Sequence, residues 1–258
     1  MKQKIKALIC TLAFIAVSTA VNAQTSFRII NYNMRMSGQM VNYNAKPFAD
    51  FIKQHNPDFV VVQEVDYKTV RNGQKDFLTE LAAELGMFSA FGAAIEYQQG
   101  EYGVGILSKY PLEKIANNAL TSSRSELKEK RTVLYVDVTI PATGQKIRVG
   151  VTHLDHSTDQ VRLDMVTQLN SYINSSTPTI LGGDFNAYVT ESAIQTMISS
   201  WQKVCDNFPT YSASNPTSKI DYIFARPMNK WTVKNFQRVA NTTLSDHLAL
   251  IADVEFNP

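Results

Sequence analysis

The sequence predicts an α/β protein in which two mixed β-sheets pack face to face and helices lie outside them. Three observations point there. Strand-like segments outnumber helical ones, and hairpins are mixed with strand–helix–strand units. Short apolar runs such as Phe59-Val60-Val61-Val62 lack polar alternation, as expected of strands covered on both faces. No internal repeat, low-complexity tract or linker interrupts the chain, so one domain is expected.

In chain order, Phe27 to Asn33 is β-branched and aromatic and reads as the first strand. Ala45 to His55 carries Phe48, Phe51 and Ile52 at helical spacing and is stopped by Asn56-Pro57. Phe59 to Val62 is a buried strand. Asp76 to Leu85 places Phe77, Leu78, Leu81 and Leu85 on one helical face, with Gly86 as the stop. Val104 to Leu107, Thr132 to Ile140 and Lys146 to His153 read as strands, the last two joined by a turn at Pro141 to Gly144. Asp159 to Ile173 is an amphipathic helix, Thr179 to Leu181 a buried strand, and Glu191 to Ile198 a short helix capped by Thr190. Ile220 to Phe224, Trp231 to Val239 and Leu248 to Phe256 close the chain as strands.

The first residues have the layout of a secretory leader. Lys2, Lys4 and Lys6 precede the apolar run Ala7 to Val17, and Val21-Asn22-Ala23 offers small residues for cleavage before Gln24. A membrane anchor is the competing reading, but the run is shorter than the roughly 20 residues of a span. Residues 1–23 are therefore expected to be removed, leaving residues 24–258 as the working domain, periplasmic or extracellular and not stably inserted in a membrane. Losing three of 25 basic residues leaves 22 against 23 acidic ones, a formal charge of −1, so nothing in the bulk charge favours a broad grip on nucleic acid. Cys205 is the one cysteine left, which rules out an internal disulfide and cysteine-rich zinc sites.

Several apolar strands end abruptly in acids, amides or histidines. Ile29-Ile30 leads to Asn31 and Asn33, Val60 to Val62 to Gln63-Glu64, and Val151 to His153. Ile180-Leu181 leads through Gly182-Gly183 to Asp184 and Asn186, Ile220 leads to Asp221, and Ser245-Asp246-His247 precedes the last strand. Gathered at one rim, these groups would form a site of carboxylate and carboxamide oxygens suited to a hard cation such as Mg²⁺. Each element alone says little, because a Gln-Glu is more often solvated, a Ser-Asp-His a turn, and a Gly-Gly-Asp a bend. Their joint order is informative.

In that order the chain resembles the endonuclease/exonuclease/phosphatase superfamily. The resemblance runs through Ile29-Ile30-Asn31-Tyr32-Asn33, Gln63-Glu64-Val65, Tyr102-Gly103-Val104-Gly105 and Thr152-His153-Leu154. It continues through Gly183-Asp184-Phe185-Asn186, Ile220-Asp221-Tyr222-Ile223-Phe224 and Ser245-Asp246-His247. It implies a four-layer α/β/β/α sandwich and a phosphoester hydrolase assisted by Mg²⁺ or Mn²⁺. Glu64 is then the principal metal carboxylate, with Asn33 and Asp246 in or near the coordination shell. His247 is the general base oriented by Asp221, since a neutral imidazole backed by a carboxylate can take a proton from water near pH 7. Asp184 orients the nucleophile or protonates the leaving oxygen, and Asn186 and His153 donate to the phosphoryl oxygens. Tyr102 is similar to a family tyrosine that contacts the scissile phosphate.

Three positions keep two readings. Arg131 reaches a phosphate or pairs with a surface carboxylate, and His156 touches the site or is a solvated loop histidine. Tyr97, Trp201 and Trp231 line a substrate surface or pack in the core, with the core favoured for both tryptophans, and His55 is structural. The expected function is a secreted, metal-dependent phosphodiesterase of nuclease type, acting as a monomer. A phosphomonoesterase or lipid-headgroup phosphodiesterase is the alternative, so the partner is a nucleic acid, a small phosphodiester or a phospholipid headgroup. Ser218-Lys219-Ile220-Asp221 departs from the inositol-phosphatase signature, which disfavours that substrate. A binding protein without chemistry would have lost His247, Asp221 or Glu64, and a histidine-ligated zinc hydrolase would need more than four histidines in this arrangement.

Overall fold

A computed structural model describes residues 25–174 and 176–258; the expected leader, residues 1–23, lies outside them. The chain opens with β1 (Thr25–Asn33) and a tight turn, α1 (Arg35–Gly38), in which Arg35, Met36 and Ser37 all hold positive φ. There follow α2 (Ala45–His55), β2 (Phe59–Tyr67), α3 (Phe77–Leu85) and the hairpin of β3 (Phe88–Tyr97) and β4 (Gly100–Ser108). The second half runs through β5 (Lys114–Leu120), β6 (Arg131–Ile140), β7 (Gln145–His153), α4 (Asp159–Tyr172) and β8 (Thr179–Asp184). It continues with α5 (Ser192–Ser200), the short β9 (Gln202–Lys203) and β10 (Asp221–Arg226), after which β11 (Trp231–Val239) and β12 (Ala249–Phe256) rejoin the first half.

The strands form two six-stranded sheets, in the orders β11-β12-β1-β2-β4-β3 and β5-β6-β7-β8-β10-β9. Both sheets are mixed: β1–β2 and β7–β8 are parallel, and the other pairs are antiparallel. Alternate residues of β1 and β2 serve two different cores. Ile29, Phe59 and Val61 point toward the second sheet and pack with Leu134, Val149 and Leu181. Ile30, Val60 and Val62 point outward onto Phe48, Ile52, Phe77 and Leu81 of α2 and α3. With both faces buried, alternation gives no advantage, which is why these strands read as continuous apolar runs. On the far side α4 and α5 contribute Met165, Leu169, Ile194 and Met197 to the core of the second sheet. The layers are α/β/β/α.

Local signals set the helix ends. Asn44, Asp76 and Thr158 accept hydrogen bonds from the N–H groups of Lys46, Thr79 and Val161, each satisfying an otherwise orphaned donor. Gly86 closes α3 in the left-handed conformation. The expected Thr190 cap is corrected. Helix α5 begins at Ser192 after Glu191, and its first N–H groups, those of Ser192 and Ala193, donate to Asp159 of α4 at 2.8 and 3.0 Å. That cap comes from another helix, so local sequence could not reveal it.

Two features carry the fold toward a site. A Cβ on Gly182 would lie 2.6 Å from Val61 Cγ2 and 2.9 Å from Asn31 Oδ1, so only glycine lets β8 pass this close to β1 and β2. The pairing register then aligns His153 of β7, Asp184 of β8 and Asp221 of β10 in one row across the second sheet. Opposite them, β2 shifts register against β4 between Gln63 and Val65, and Glu64 sits in this bulge with φ +60°. Such a conformation costs a non-glycine residue about 1–3 kcal/mol, and the bulge re-aims the side chain at a strand end.

Candidate active site

The strand ends of both sheets meet at one rim around a cleft of about 320 Å³. Its walls include Glu64, Tyr102, Arg131, His153, His156, Asp184, Asn186, Asp246 and His247. Asn33 and Asp221 are buried directly behind this wall, in contact with its residues. Every predicted site residue is therefore brought to one place. A wider depression of about 600 Å³ beside the β3–β4 turn holds none of the converging histidines and aspartates, so size is a poor guide here.

The acid–base group is buried in the second sheet. His247 Nδ1 lies 3.1 and 3.2 Å from the two carboxylate oxygens of Asp221, and its Nε2 is 3.8 Å from Asp184 Oδ2. Asp221 is held in turn: its backbone N–H and that of Ile220 donate to Thr210 Oγ1. Ser245 Oγ donates to the Asn33 carbonyl at 2.7 Å and accepts the His247 N–H at 3.1 Å, tying the end of β1 to the start of β12. Tyr211 lies over the His247 ring with centroids 4.9 Å apart.

The oxygen-rich group bridges the sheets. Asn33 Nδ2 donates to Glu64 Oε1 and to Asp184 Oδ2, both at 3.0 Å. Glu64 Oε2 accepts the Met36 N–H at 3.0 Å, and Asn33 Oδ1 accepts the Arg35 N–H, so the left-handed turn of α1 presents its amides to the site. Arg35 also pairs with Asp246. Two carboxylates thus converge on one carboxamide. Burial, aggravated by nearby Asp221, pushes the Asp184 carboxyl well above the ordinary carboxylate range. A cation among Glu64, Asn33 and Asp246, beside Asp184, would answer that charge with hard oxygen donors, so the residues fit a divalent ion of the Mg²⁺ kind. Ligand atoms of Asp184, Asp221 and His247 also lie within 4.8 Å of one another. The two His247–Asp221 contacts already account for that trio as a hydrogen-bonded acid–base group.

Burial draws His247 down, but Asp221 beside it, with Asp184 and Asp246, outweighs burial and raises it to about 10. The imidazole expected to be neutral near pH 7 is therefore protonated while those carboxylates stay unneutralised. The folded state holds this proton more tightly than the unfolded chain. The stabilisation is complete below about 6.5 and is lost as pH rises through about 10. In a chelating buffer the thermal midpoint is expected to fall across that window, and more steeply than in His247→Ala. Parallel pH profiles for the two proteins would remove the assignment. His153 is the opposite case: burial, with Arg131 close by, lowers it well below its ordinary value and keeps it neutral.

Some expected contacts are arranged differently. Asn186 and His153 were expected to face the substrate as donors. Instead Asn186, in a left-handed conformation, spends Nδ2 on His153 Nε2 at 3.1 Å and on the Leu154 carbonyl at 2.9 Å. Arg131 does pair with a carboxylate, Glu129 Oε2 at 2.7 Å, yet it does so buried in the cleft wall, 3.4 Å from His153 Nδ1. His156 is exposed at the cleft mouth. Trp201 and Trp231 are core residues, and His55 packs on Phe51 at the end of α2. Sequence reasoning missed Arg35, Thr210 and Tyr211. A charge two residues after Asn33 was the available signal for Arg35, whereas Thr210 and Tyr211 come from an irregular loop with none.

Comparison with known proteins agrees with this geometry. The model of the Endonuclease/Exonuclease/phosphatase family matches residues 30–247. An uncharacterized protein of Escherichia coli, YbhP, is 26% identical over 253 residues, covering 90% of this chain and 97% of its own length. A family protein of Bacteroides thetaiotaomicron superposes with a TM-score of 0.73 at 18% identity, covering 92% of this chain and 97% of that one. A mannosyl-6-phosphatase of the same organism gives 0.69 at 18%, covering 88% and 98%. With the match spanning the whole site, from the β1 asparagines to His247, the chain belongs to the endonuclease/exonuclease/phosphatase family of hydrolases.

Proposed function

We propose that the protein is a divalent-metal-dependent phosphoester hydrolase in which His247, oriented by Asp221, accepts a proton from the attacking water. The observation that carries this reading is the pairing of His247 Nδ1 with Asp221 at 3.1 Å while Nε2 faces the cleft beside Asp184. The Asp221 carboxylate holds the tautomer with its proton on Nδ1, which leaves Nε2 as the basic atom toward the substrate. Asp184 lies 3.6 and 3.8 Å from the two histidines, and the Asn186 N–H holds its other oxygen at 2.9 Å. Burial favours its protonated form, which supports a role in delivering a proton to the leaving oxygen. Arg131 and His156 also line the cleft, where donors would meet the phosphoryl oxygens. A divalent ion held by Glu64, Asn33 and Asp246 would act as the Lewis acid and would offset Asp246, one of the carboxylates that raise His247.

The modest cleft and the mature formal charge of −1 support a small phosphoester over a polymeric nucleic acid. The N-terminal lysines and apolar run support export to the periplasm or beyond. No helix among the described residues is long and apolar enough to cross a membrane. The test is a hydrolysis panel with and without Mg²⁺ or Mn²⁺, using plasmid DNA, RNA, bis-p-nitrophenyl phosphate, p-nitrophenyl phosphate and sphingomyelin. Protein recovered from the producing cells is weighed first, since a retained residue 1 refutes leader removal. Metal-dependent cleavage of one class is the expected result. Turnover unaffected by chelation overturns the metal reading, and cleavage confined to DNA or RNA overturns the preference for small substrates.

A further inference from the structure

We propose that a small cavity beside the cleft receives the alcohol part of the substrate and selects a single polyhydroxylated ring, making a sugar phosphate the substrate class. This deepens the phosphoester-hydrolase reading and rests on it. The cavity, about 180 Å³, is lined by Met36, Glu64, Arg71, Tyr97, Tyr102 and Glu129. Glu64 and Tyr102 line the catalytic cleft as well, so a ring seated here is joined directly to a phosphoryl group seated there. Its volume is below the roughly 300–1,000 Å³ of pockets for drug-sized ligands, which limits the occupant to about one ring.

The walls are rigid and chemically specific. Arg71 forks onto the fully buried carboxylate of Asp66, with contacts of 2.8, 2.9 and 3.2 Å. The loop carrying Arg71 is pinned to the β3–β4 turn, because the N–H groups of Val70 and Arg71 donate to the backbone and side-chain oxygens of Gln98, each at 2.9 Å. Its guanidinium lies 4.6 Å from the centre of the Tyr97 ring and 5.2 Å from that of Tyr102. Asp66 answers the charge of Arg71, so this is not a second anion site. Among the described residues Arg71 Nη1 has no hydrogen-bond partner, and it remains a neutralised, oriented donor. Glu129, whose Oε2 is paired with Arg131 at 2.7 Å, also lines the cavity and brings its second carboxylate oxygen as an acceptor.

A fixed donor, a carboxylate acceptor and aromatic walls suit a ring edged with hydroxyl groups. They do not suit a flat base. The Tyr97 and Tyr102 rings are tilted by 52° with centroids 6.4 Å apart, so there is no parallel slot, and Arg71 already covers both. Arg71 and Tyr97 also lie outside the seven sequence blocks that carry the hydrolytic residues. A fold that hosts many substrates is expected to place specificity in such positions.

The test compares wild type with Tyr97→Ala, and with Arg71→Lys, which keeps a cation on Asp66. Rates in Mg²⁺ are measured on glucose 6-phosphate, mannose 6-phosphate, acyclic glycerol 3-phosphate and adenosine 5′-monophosphate. Calorimetry titrates the same compounds and inorganic phosphate in Ca²⁺. The expected result is a loss of about tenfold in kcat/KM and affinity for the hexose phosphates, the scale of one hydrogen bond to a charged group. Glycerol 3-phosphate and inorganic phosphate should be unchanged. Equal losses on glycerol 3-phosphate, no loss at all, or a preference for the nucleotide would each overturn the proposal. A wild type that hydrolyses neither these nor any member of the phosphoester panel above refutes the catalytic reading, and calorimetry then judges the cavity alone. Tighter binding of hexose phosphate than of glycerol 3-phosphate, weakened by Tyr97→Ala, supports it, and indistinguishable affinities refute it.

Discussion

Replacing His247 with alanine is expected to lower kcat by about 10²–10⁴-fold, the range typical of losing a general base. Asp221→Asn should come close to the same loss without removing any atom from the cleft wall. The asparagine amide is nearly the same shape as the carboxylate, but it no longer compels the Nδ1–H tautomer and no longer stabilises the imidazolium that forms. The pair must be compared with care for stability. His247→Ala leaves the Asp221 carboxylate, 1% exposed, without the imidazole partner it has at 3.1 Å. Turnover should therefore be measured well below the melting temperature of each variant, with the melt recorded alongside. Near-normal kcat in a folded His247→Ala protein would assign the base elsewhere. Parallel loss in both single variants, with little added loss in the double variant, is the signature of residues acting as one unit.

The second large effect is expected at Glu64. Glu64→Gln keeps the shape and the Met36 N–H contact but removes a full charge from the point where Asn33 joins the two sheets. The Mg²⁺ concentration for half-maximal activity should rise by about 10–100-fold or more, given that even residues one step removed from a metal have effects of this size. In chelating buffer the same variant should melt at a higher temperature than wild type, because two converging carboxylates become one. The two observations have opposite signs and exclude a merely structural role. Superimposable Mg²⁺ titrations would show that Glu64 is not the principal ligand.

The parts of the fold legible in the sequence are those with strong local signals. Strands β1, β2, β6, β7 and β12 are apolar on both faces or nearly so, and α2, α3 and α4 have their caps written beside them. The strands missed are β3, β5 and the two-residue β9, and each lies at the edge of its sheet. An edge strand has neighbours on one side, so Ser89-Ala90-Phe91-Gly92-Ala93 and Ala116-Asn117-Asn118 can be small or polar without cost. Strand β4 begins four residues earlier than expected, at Gly100, since Gly103 must be bare where a Cβ would sit 2.0 Å from the Gly92 carbonyl. A glycine there looks like a break when no partner strand is in view. The site followed the same logic. Residues at strand ends were visible as abrupt polar stops, whereas Thr210, Tyr211 and the Arg71 loop have their positions set by contacts distant in sequence.

Asn33 has one further consequence. A single carboxamide on β1 grips Glu64 of its own sheet and Asp184 of the other, so the chemistry is assembled across the seam of the sandwich. The two halves of the chain can each form hairpins early, but neither contains a working site until the sheets have closed on one another. Activity in a refolding experiment should accordingly appear with the last packing event, after β-sheet ellipticity has recovered. A substitution that loosens the inter-sheet core, such as Val61→Ala far from any substrate, would be felt at the rim as a site slightly out of alignment.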